Sequence, residues 1–454
     1  MAESQLVAGI DSSTQSVKVL LVRADDGTVI DQASAPHPGG TEVDPAAWWD
    51  ALQQAGSGLL ERAAAIGVGG QQHGMVCLDA NGAAVRPALL WNDLRSAPQI
   101  ASLVDHLGGA QRCADQIGSV PTASFTVTKL AWLAAHEPAA AASTAVVLLP
   151  HDWLTWKLGG SAGEMTTDHG DASGTGYYSP TLRNWLPDVA TWAIGQPISL
   201  PRLAGPAEVV GHTPWGAALS AGTGDNMAAA LGLAITDGDV VVSIGTSGTA
   251  FCVSDRPTAD PTGSVSGFAD ATGRNLPLVC TINASRILSV VGTLLGVDHD
   301  EFAGLALAGV PGAHGLTLLP YLDGERTPNR PDASGVLSGI TSATTREDLA
   351  RAAVEALLCS LADAVDALGV SARRVIMIGG GSRNPAVQQL APAVFGMPVE
   401  VADPGEYVAL GAARQAAWAL RGTAGPPDWP AVRTQTFTTE PTPEVRRQYA
   451  ALRG

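Results

Sequence analysis

Residues 6–22 carry two apolar, β-branched runs, 6–10 and 17–22, separated by a polar turn from Asp11 to Ser16. The pattern predicts a pair of antiparallel strands, and Asp25-Asp26-Gly27 turns the chain into a third at residues 28–32. The same order of apolar strand, hydroxyl-rich turn and apolar strand returns at residues 239–253, with Gly245 to Gly248 as the turn. Recurrence after about 230 residues suggests duplicated domains, although two ordinary hairpins would read alike. Between the copies, strands are expected at 64–70 and 144–150 and helices at 45–65 and 124–135, with the Ala-rich stretch 138–145 as a helix end. Beyond the second hairpin, Thr345 and Asp348 have capping-box spacing. An amphipathic helix follows through Leu349, Ala353, Leu357 and Leu361 to a stop near Gly369. A strand at 375–378 then leads into Gly379-Gly380-Gly381, Asn384 as N-cap and Pro385 at the first helical position. The pattern is α/β throughout, without a long linker.

Composition narrows the class. The chain has 454 residues, 43 of them Asp or Glu and 26 Lys or Arg, a net charge of −17. That balance argues against a nucleic-acid partner, which would need a basic face. Only Lys18, Lys129 and Lys157 are lysines, too few for a polybasic membrane anchor. The longest stretch without a charged side chain, 302–322, contains Pro311 and Pro320 and reads as helix, loop and strand rather than a membrane span. Met1-Ala2-Glu3 opens no signal-peptide pattern. The five cysteines are odd in number and form no C-x-x-C, as expected of reduced packing residues in a cytoplasmic protein.

For chemistry, the chain lacks a G-x-x-x-x-G-K-[ST] phosphate loop and the protein-kinase motifs. Three Gly/Ser/Thr-rich turns follow apolar strands instead, at 11–16, 245–249 and 379–384. Such turns present backbone N–H groups and hydroxyls that cradle phosphate without lysine. Asp11 among them would repel phosphate unless it held a divalent metal; its plainer role is to form the turn. Asp225 enters an apolar helix after Gly222-Thr223-Gly224, and spacing alone favours an N-cap over a base for a sugar hydroxyl. Gln71-Gln72-His73-Gly74 and Trp91-Asn92-Asp93 combine amides, a carboxylate and an indole, the groups that bind carbohydrate. A loop histidine and a core tryptophan are the plainer readings. The histidines show no zinc-ligand spacing.

Taken in order, these segments resemble the FGGY carbohydrate kinases, and among them the xylulokinase branch. Gly9-Ile10-Asp11-Ser12-Ser13-Thr14 is similar to the family's first phosphate hairpin, and Ser243 to Gly248 to its second. Residues 70–74 and 91–93 resemble its sugar segments. Ser124 to Glu137, around Lys129-Leu130-Ala131-Trp132, resembles one signature, and Gly335 to Glu355 another. Gly222 to Asn226 resembles the catalytic segment. Leu319-Pro320-Tyr321-Leu322-Asp323-Gly324-Glu325-Arg326-Thr327-Pro328 is a long match, and Gly379 to Asn384 resembles the adenosine-side turn.

The resemblance implies two actin-like (ribonuclease H-like) domains, 1–234 and 235–454, flanking a catalytic cleft. It implies ATP-dependent phosphorylation of D-xylulose with Asp225 as general base. Asp11 would orient Mg²⁺, while Thr14, Gln15 and Thr246 would contact the phosphates. Gly380, Gly381 and Asn384 would flank adenosine, and Gln72, His73, Trp91, Asn92 and Asp93 would hold the sugar. The partners implied are a small sugar and ATP, with no nucleic acid or membrane and with room for a homodimer. The chain departs from the family in three places: Gln72 where Met is frequent, Ala135 where a polar residue is usual, and Ser12-Ser13-Thr14-Gln15 in the first hairpin, where Leu-Gly-Thr-Ser is commoner. A kinase for another pentulose or polyol, a ribokinase-like fold and a non-catalytic actin-like ATPase are the competing readings. The ribokinase-like reading leaves the Asp11 hairpin and the Leu319–Pro328 motif unexplained.

Overall fold

The computed structural model describes residues 5–454, so Met1-Ala2-Glu3 lies outside the described residues. Two compact units emerge. The first comprises the chain up to Ala234 with Ser254–Leu276 and Glu406–Ala431; the second comprises Ile235–Val253, Pro277–Gly405 and Val432–Gly454.

In the first unit, β1 (Leu6–Ser12) and β2 (Ser16–Arg23) form the expected hairpin, and β3 (Val29–Pro36) extends it. β4 (Ala65–Gly70) runs parallel to β1 on its other side. Beyond it lie β5 (Val209–His212) and β6 (Ala218–Ser220), giving the order β5-β6-β4-β1-β2-β3; the short β7 (Thr223–Gly224) also pairs with β4. In the second unit, β8 (Asp239–Ile244) and β9 (Gly248–Cys252) form the second hairpin. β10 (Asn275–Thr281) flanks β9, while β11 (Arg374–Ile378) runs parallel to β8 and is followed by β12 (Val399–Ala402) and β13 (Thr434–Phe437). In each unit a hairpin thus has a parallel strand on its first member and an antiparallel one on its second. The duplication legible in the two turns is a duplication of sheet topology.

Strand alternation explains the first unit's core. Ala8, Ile10, Val19 and Leu21 face one side, packed with Trp48, Leu52, Trp153 and Leu154. Val7, Leu20 and Val22 face the other, against Ala409, Ala413 and Ala416 of the helix Tyr407–Arg421. A strand buried on both faces has to be apolar at nearly every position, as β1 is up to Asp11. The alanines let the helix lie close. A Cβ at Gly9 would sit 1.8 Å from the Ala409 carbonyl oxygen, and one at Gly67 2.2 Å from that of Ala412.

Local signals held where local chemistry decides. Thr345 and Asp348 form the capping box of Arg346–Ala367, and Asn384 caps Pro385–Phe395 with Pro385 at its first position. The stretch 302–322 is helix, loop and strand as expected. The helix expected at 45–65 stops instead at Gly56, because Gly58 adopts a left-handed conformation (φ 74°) and a 3₁₀ turn leads into β4. The strand expected at 144–150 is only Val146–Leu148, since Pro150 starts the helix Pro150–Leu158. Residues 138–143 form a short helix of their own. Cys77, Cys113 and Cys359 are buried thiols, and no described helix is long and apolar enough to cross a membrane.

Candidate active site

Asp11, Gln71 to His73 and Asp225 all follow or end strands that run parallel, β1, β4 and β7. Asp11 lies opposite Gly69, and Thr223 opposite Gly69 on the other side. In a parallel array the carboxyl ends are where chain direction changes and backbone groups are left for a ligand.

Asp11 is buried at the end of β1. Ser13 Oγ donates to one of its oxygens, and Lys18 Nζ lies 3.8 Å from the other while pairing with Glu406 at 2.6 Å. Burial pushes the Asp11 carboxyl up to about 6, against the opposing pull of Ser13 and Lys18. In the same hairpin Thr14 Oγ1 accepts from Trp91 Nε1 at 2.9 Å, which joins the phosphate-type turn to the indole of the second sugar segment. Gln15 is exposed.

Asp225 is not the N-cap that its spacing suggests. Gly224 holds that position, and Asp225 is the first residue of the helix Asp225–Gly232. Its Oδ1 accepts from the backbone N of Asn226 at 2.8 Å and from Asn226 Nδ2 at 2.9 Å. The same Nδ2 donates to Gln72 Oε1 at 3.0 Å, so Gln72 and Asp225 share one amide donor. Burial raises Asp225 to about 7, and the nearby Asp11 adds to the rise. A carboxyl so placed titrates close to neutrality, where a general base works best.

The sugar-type segments are positioned by contacts invisible in local sequence. His73 adopts a left-handed backbone (φ 67°), and its Nδ1–H donates to the Gly174 carbonyl at 2.6 Å. Its ring stacks on Phe125 at 5.0 Å. Gln71 Nε2 and Oε1, Gln72 Nε2 and Asn92 Oδ1 are buried without a protein partner. Trp91 is 37% exposed. Asp93 differs from a free sugar ligand: Oδ2 accepts from Thr41 at 2.7 Å, and Oδ1 from Arg95 Nε at 2.9 Å and Arg95 N at 3.0 Å. These bonds overcome burial and hold its carboxyl below the usual range. Lys129 is wholly buried beside it and donates to the carbonyls of Ser124 and Ala123, with burial lowering the ammonium to about 7.

In the second unit, Thr246 is exposed in the β8–β9 turn, and its carbonyl accepts from Ala284 N at 3.0 Å. Glu325 explains part of the long 319–328 motif. It is buried and accepts from Ile282 N at 2.6 Å and from Asn283 Nδ2 at 3.0 Å, fixing the segment that meets this turn. Sequence reasoning found the motif without this role. Gly380 and Gly381 form the turn after β11, where a Cβ at Gly381 would meet Ile244 at 2.4 Å. Asn384 Oδ1 is committed to capping Ala386 N and Val387 N.

Comparison with known proteins matches residues 6–233 to the FGGY family of carbohydrate kinases, N-terminal domain, and residues 240–420 to its C-terminal domain. The chain belongs to this family. Among relatives of this FGGY kinase, the xylulose kinase of Streptomyces coelicolor is 49% identical over 440 residues, 93% of this chain and 89% of the relative. The xylulose kinase of Escherichia coli is 34% identical, over 90% of this chain and 89% of its own. The crystal structure of xylulose kinase from Bifidobacterium adolescentis superimposes with a TM-score of 0.93 at 45% identity, covering 99% of this chain and 100% of that one. A glycerol kinase from Plasmodium falciparum, at 18% identity and a TM-score of 0.86, shares the fold. The two-domain α/β kinase fold is therefore established for this chain.

Proposed function

We propose that this chain transfers the γ-phosphoryl group of ATP to D-xylulose, giving D-xylulose 5-phosphate, with Asp225 as general base. The observation that carries the mechanism is the Asp225 carboxyl, partly buried just beyond a parallel strand end, held by Asn226 and raised by desolvation to about 7. The sugar is inferred from the relatives, which carry the name xylulose kinase at up to 49% identity. The unpartnered amide atoms of Gln71, Gln72 and Asn92 suit a polyhydroxylated ligand, because a buried polar group needs a partner and a sugar hydroxyl supplies one. We assign sugar binding and the base to residues 1–234 and nucleotide binding to 235–454, in a cytoplasmic enzyme. Thr14, Gln15 and Thr246 then serve the phosphates, and Gly380, Gly381 and Asn384 the adenosine side.

Asp11 suits Mg²⁺ as a single carboxylate among hydroxyls and backbone amides. No cluster of three or more ligating side chains occurs among the described residues. The ion would therefore draw its other ligands from nucleotide phosphates and water, as Mg²⁺ commonly does. When bound it would supply charge neutralisation on the phosphates. Asp225 takes the proton from the attacking hydroxyl, Asn226 holds the carboxylate in place, and His73 and Trp91 orient the sugar.

The test is coupled ADP release with Mg-ATP against D-xylulose, L-xylulose, D-ribulose, L-ribulose, gluconate and glycerol. D-xylulose well ahead supports the reading; another polyol ahead keeps the kinase and revises the sugar. ADP release that ignores sugar points to an actin-like ATPase.

A base is active when deprotonated, so with Asp225 titrating at about 7 the value of kcat/KM should fall as pH drops. Well below pH 7 the slope should approach tenfold per unit, measured by ADP release from about pH 5 to about pH 9. A flat acid limb would reject Asp225 as the titrating base. Gln72→Met removes Asn226's second acceptor and a buried donor that has no protein hydrogen-bond partner. It should change relative rates across the sugar panel while KM for ATP stays within about threefold. Unchanged ratios would separate Gln72 from the sugar.

A further inference from the structure

Beneath the sugar-type segments and Asp225 lies a buried ionic cluster that the reaction as proposed does not use. His151, on the helix Pro150–Leu158, is wholly buried, and its Nδ1 lies 2.7 Å from Asp171 Oδ2. Its Nε2 lies 3.1 Å from Asp152 Oδ1 and 3.9 Å from Asp168 Oδ1. The three carboxylates are themselves buried. Asp168 caps the turn His169–Ala172, accepting from Gly170 N and Asp171 N, and also accepts from Thr223 Oγ1 at 2.6 Å. Thr223 stands two residues before Asp225. The same turn leads to Gly174, whose carbonyl receives His73 Nδ1–H. One short segment therefore fixes both the approach to the base and the sugar-type histidine, and the His151 ring stands among its carboxylates.

The ring has room only because two glycines make it. A Cβ at Gly222, which adopts φ 74°, would lie 2.5 Å from His151 Cδ2, and one at Gly70 would lie 2.9 Å from His151 Cβ. Gly70 ends β4 ahead of Gln71 to His73, and Gly222 precedes β7 and Asp225. The imidazole is thus wedged under both segments.

We propose that His151 is a positioning residue for phosphoryl transfer, a buried imidazolium whose contacts with Asp171 and Asp152 hold Asp225 and His73 in register. The assignment rests on the kinase reading above. The charged groups facing the ring are Asp152 from its own helix and Asp168 and Asp171 from the turn. Tyr177 interacts with Asp152 and Asp171 behind them, and Asp225 with Asp171. Gly70 and Gly222 offer it no charge. Burial alone would discharge the ring, but Asp152, Asp171 and Asp168 outweigh it and hold the imidazole at about 9. Burial raises Asp152 to about 7 and Asp171 to about 6, so a neutral ring would leave these carboxyls without a cation.

The first measurement uses the unaltered chain. With ¹⁵N-labelled histidine, one imidazole should remain doubly protonated at about pH 8, where ordinary histidines are neutral. If every imidazole is neutral there, the proposal fails. The second is His151→Gln, compared with wild type by circular dichroism and steady-state kinetics. It should lose the persistent imidazolium signal and lower kcat about tenfold or more, while KM for ATP stays within about threefold. Wild-type kcat in the folded variant would overturn the proposal, as would a loss confined to KM for ATP. Where His151→Gln does not fold, Asp171→Asn keeps an acceptor for the ring and is read by the same split. Sugar-independent ADP release by the wild type would instead sink the kinase reading, and the imidazole spectrum would still decide the charge on His151.

Discussion

Asp225→Asn is expected to bind Mg-ATP as wild type does and to lose turnover by about 10²- to 10⁴-fold, roughly 2.7–5.4 kcal/mol of transition-state stabilisation. The substitution is nearly isosteric. An amide oxygen at the Oδ1 position still accepts from Asn226 N and Nδ2, so the start of the helix Asp225–Gly232 keeps its hydrogen bonds. Only the ability to take a proton is removed. The direction of the stability change separates this from a folding defect. The carboxyl is raised from 3.8 to about 7 by burial and by Asp11. Stability gained by its protonated form is present at acid pH and lost as pH rises through about 7. At about pH 8 the variant, free of that partly desolvated charge, should unfold at or above the wild-type temperature. Steady-state ADP release, calorimetric titration with Mg-ATP and thermal unfolding together decide the matter. Turnover near wild type would remove Asp225 from the mechanism.

The second large effect is steric. Gly411, in the helix Tyr407–Arg421, faces the helix Asp225–Gly232 so closely that a Cβ would lie 1.8 Å from the Ala228 carbonyl oxygen and 2.8 Å from Gly232 N. Gly232 returns the contact, with a Cβ there falling 2.2 Å from the Tyr407 carbonyl. Backbone cannot rotate out of the way as a side chain can. Gly411→Ala should therefore cost about 3 kcal/mol or more, at or beyond the upper end for overpacking. It should also lower kcat, because the displaced helix begins at Asp225. Gly304→Ala is the control. Around this exposed helical glycine no atom beyond its chain neighbours and the local helix backbone lies within 4 Å of where a Cβ would stand, so the same methyl should stabilise by about 0.5–1 kcal/mol. Denaturant midpoints for the pair test the argument. Equal shifts would mean that the helices are not in register as described.

How much of this was legible in the chain depends on the range over which each feature is decided. The β1–β2 and β8–β9 hairpins, the capping box at Thr345 and Asp348 and the Asn384-Pro385 helix start depend on residues a few positions apart, and they appear where the pattern puts them. The ordered series of motifs carried the family in the same way. Misreadings cluster where a local signal has two uses. Gly56-Ser57-Gly58 ends a helix that apolar spacing alone would have continued, and Gly224 took the cap that Asp225 was expected to fill.

By itself, then, the sequence determined two strand–turn–strand duplicates, an α/β pattern, the family and a short set of polar residues at strand ends. Local propensity and short-range capping are sufficient causes for these. Only the tertiary structure decided what those residues touch. Gln72 reaches Asp225 through Asn226 across 154 positions, and Lys18 meets Glu406 across 388. Asp93 proved occupied by Thr41 and Arg95, and His151 proved to sit beneath the strands that carry the base. The titration of Asp11 and Asp225 was beyond reach of pattern for the same reason. A carboxyl's pKa is set by the desolvation and charges that surround it, and only the folded chain brings those together.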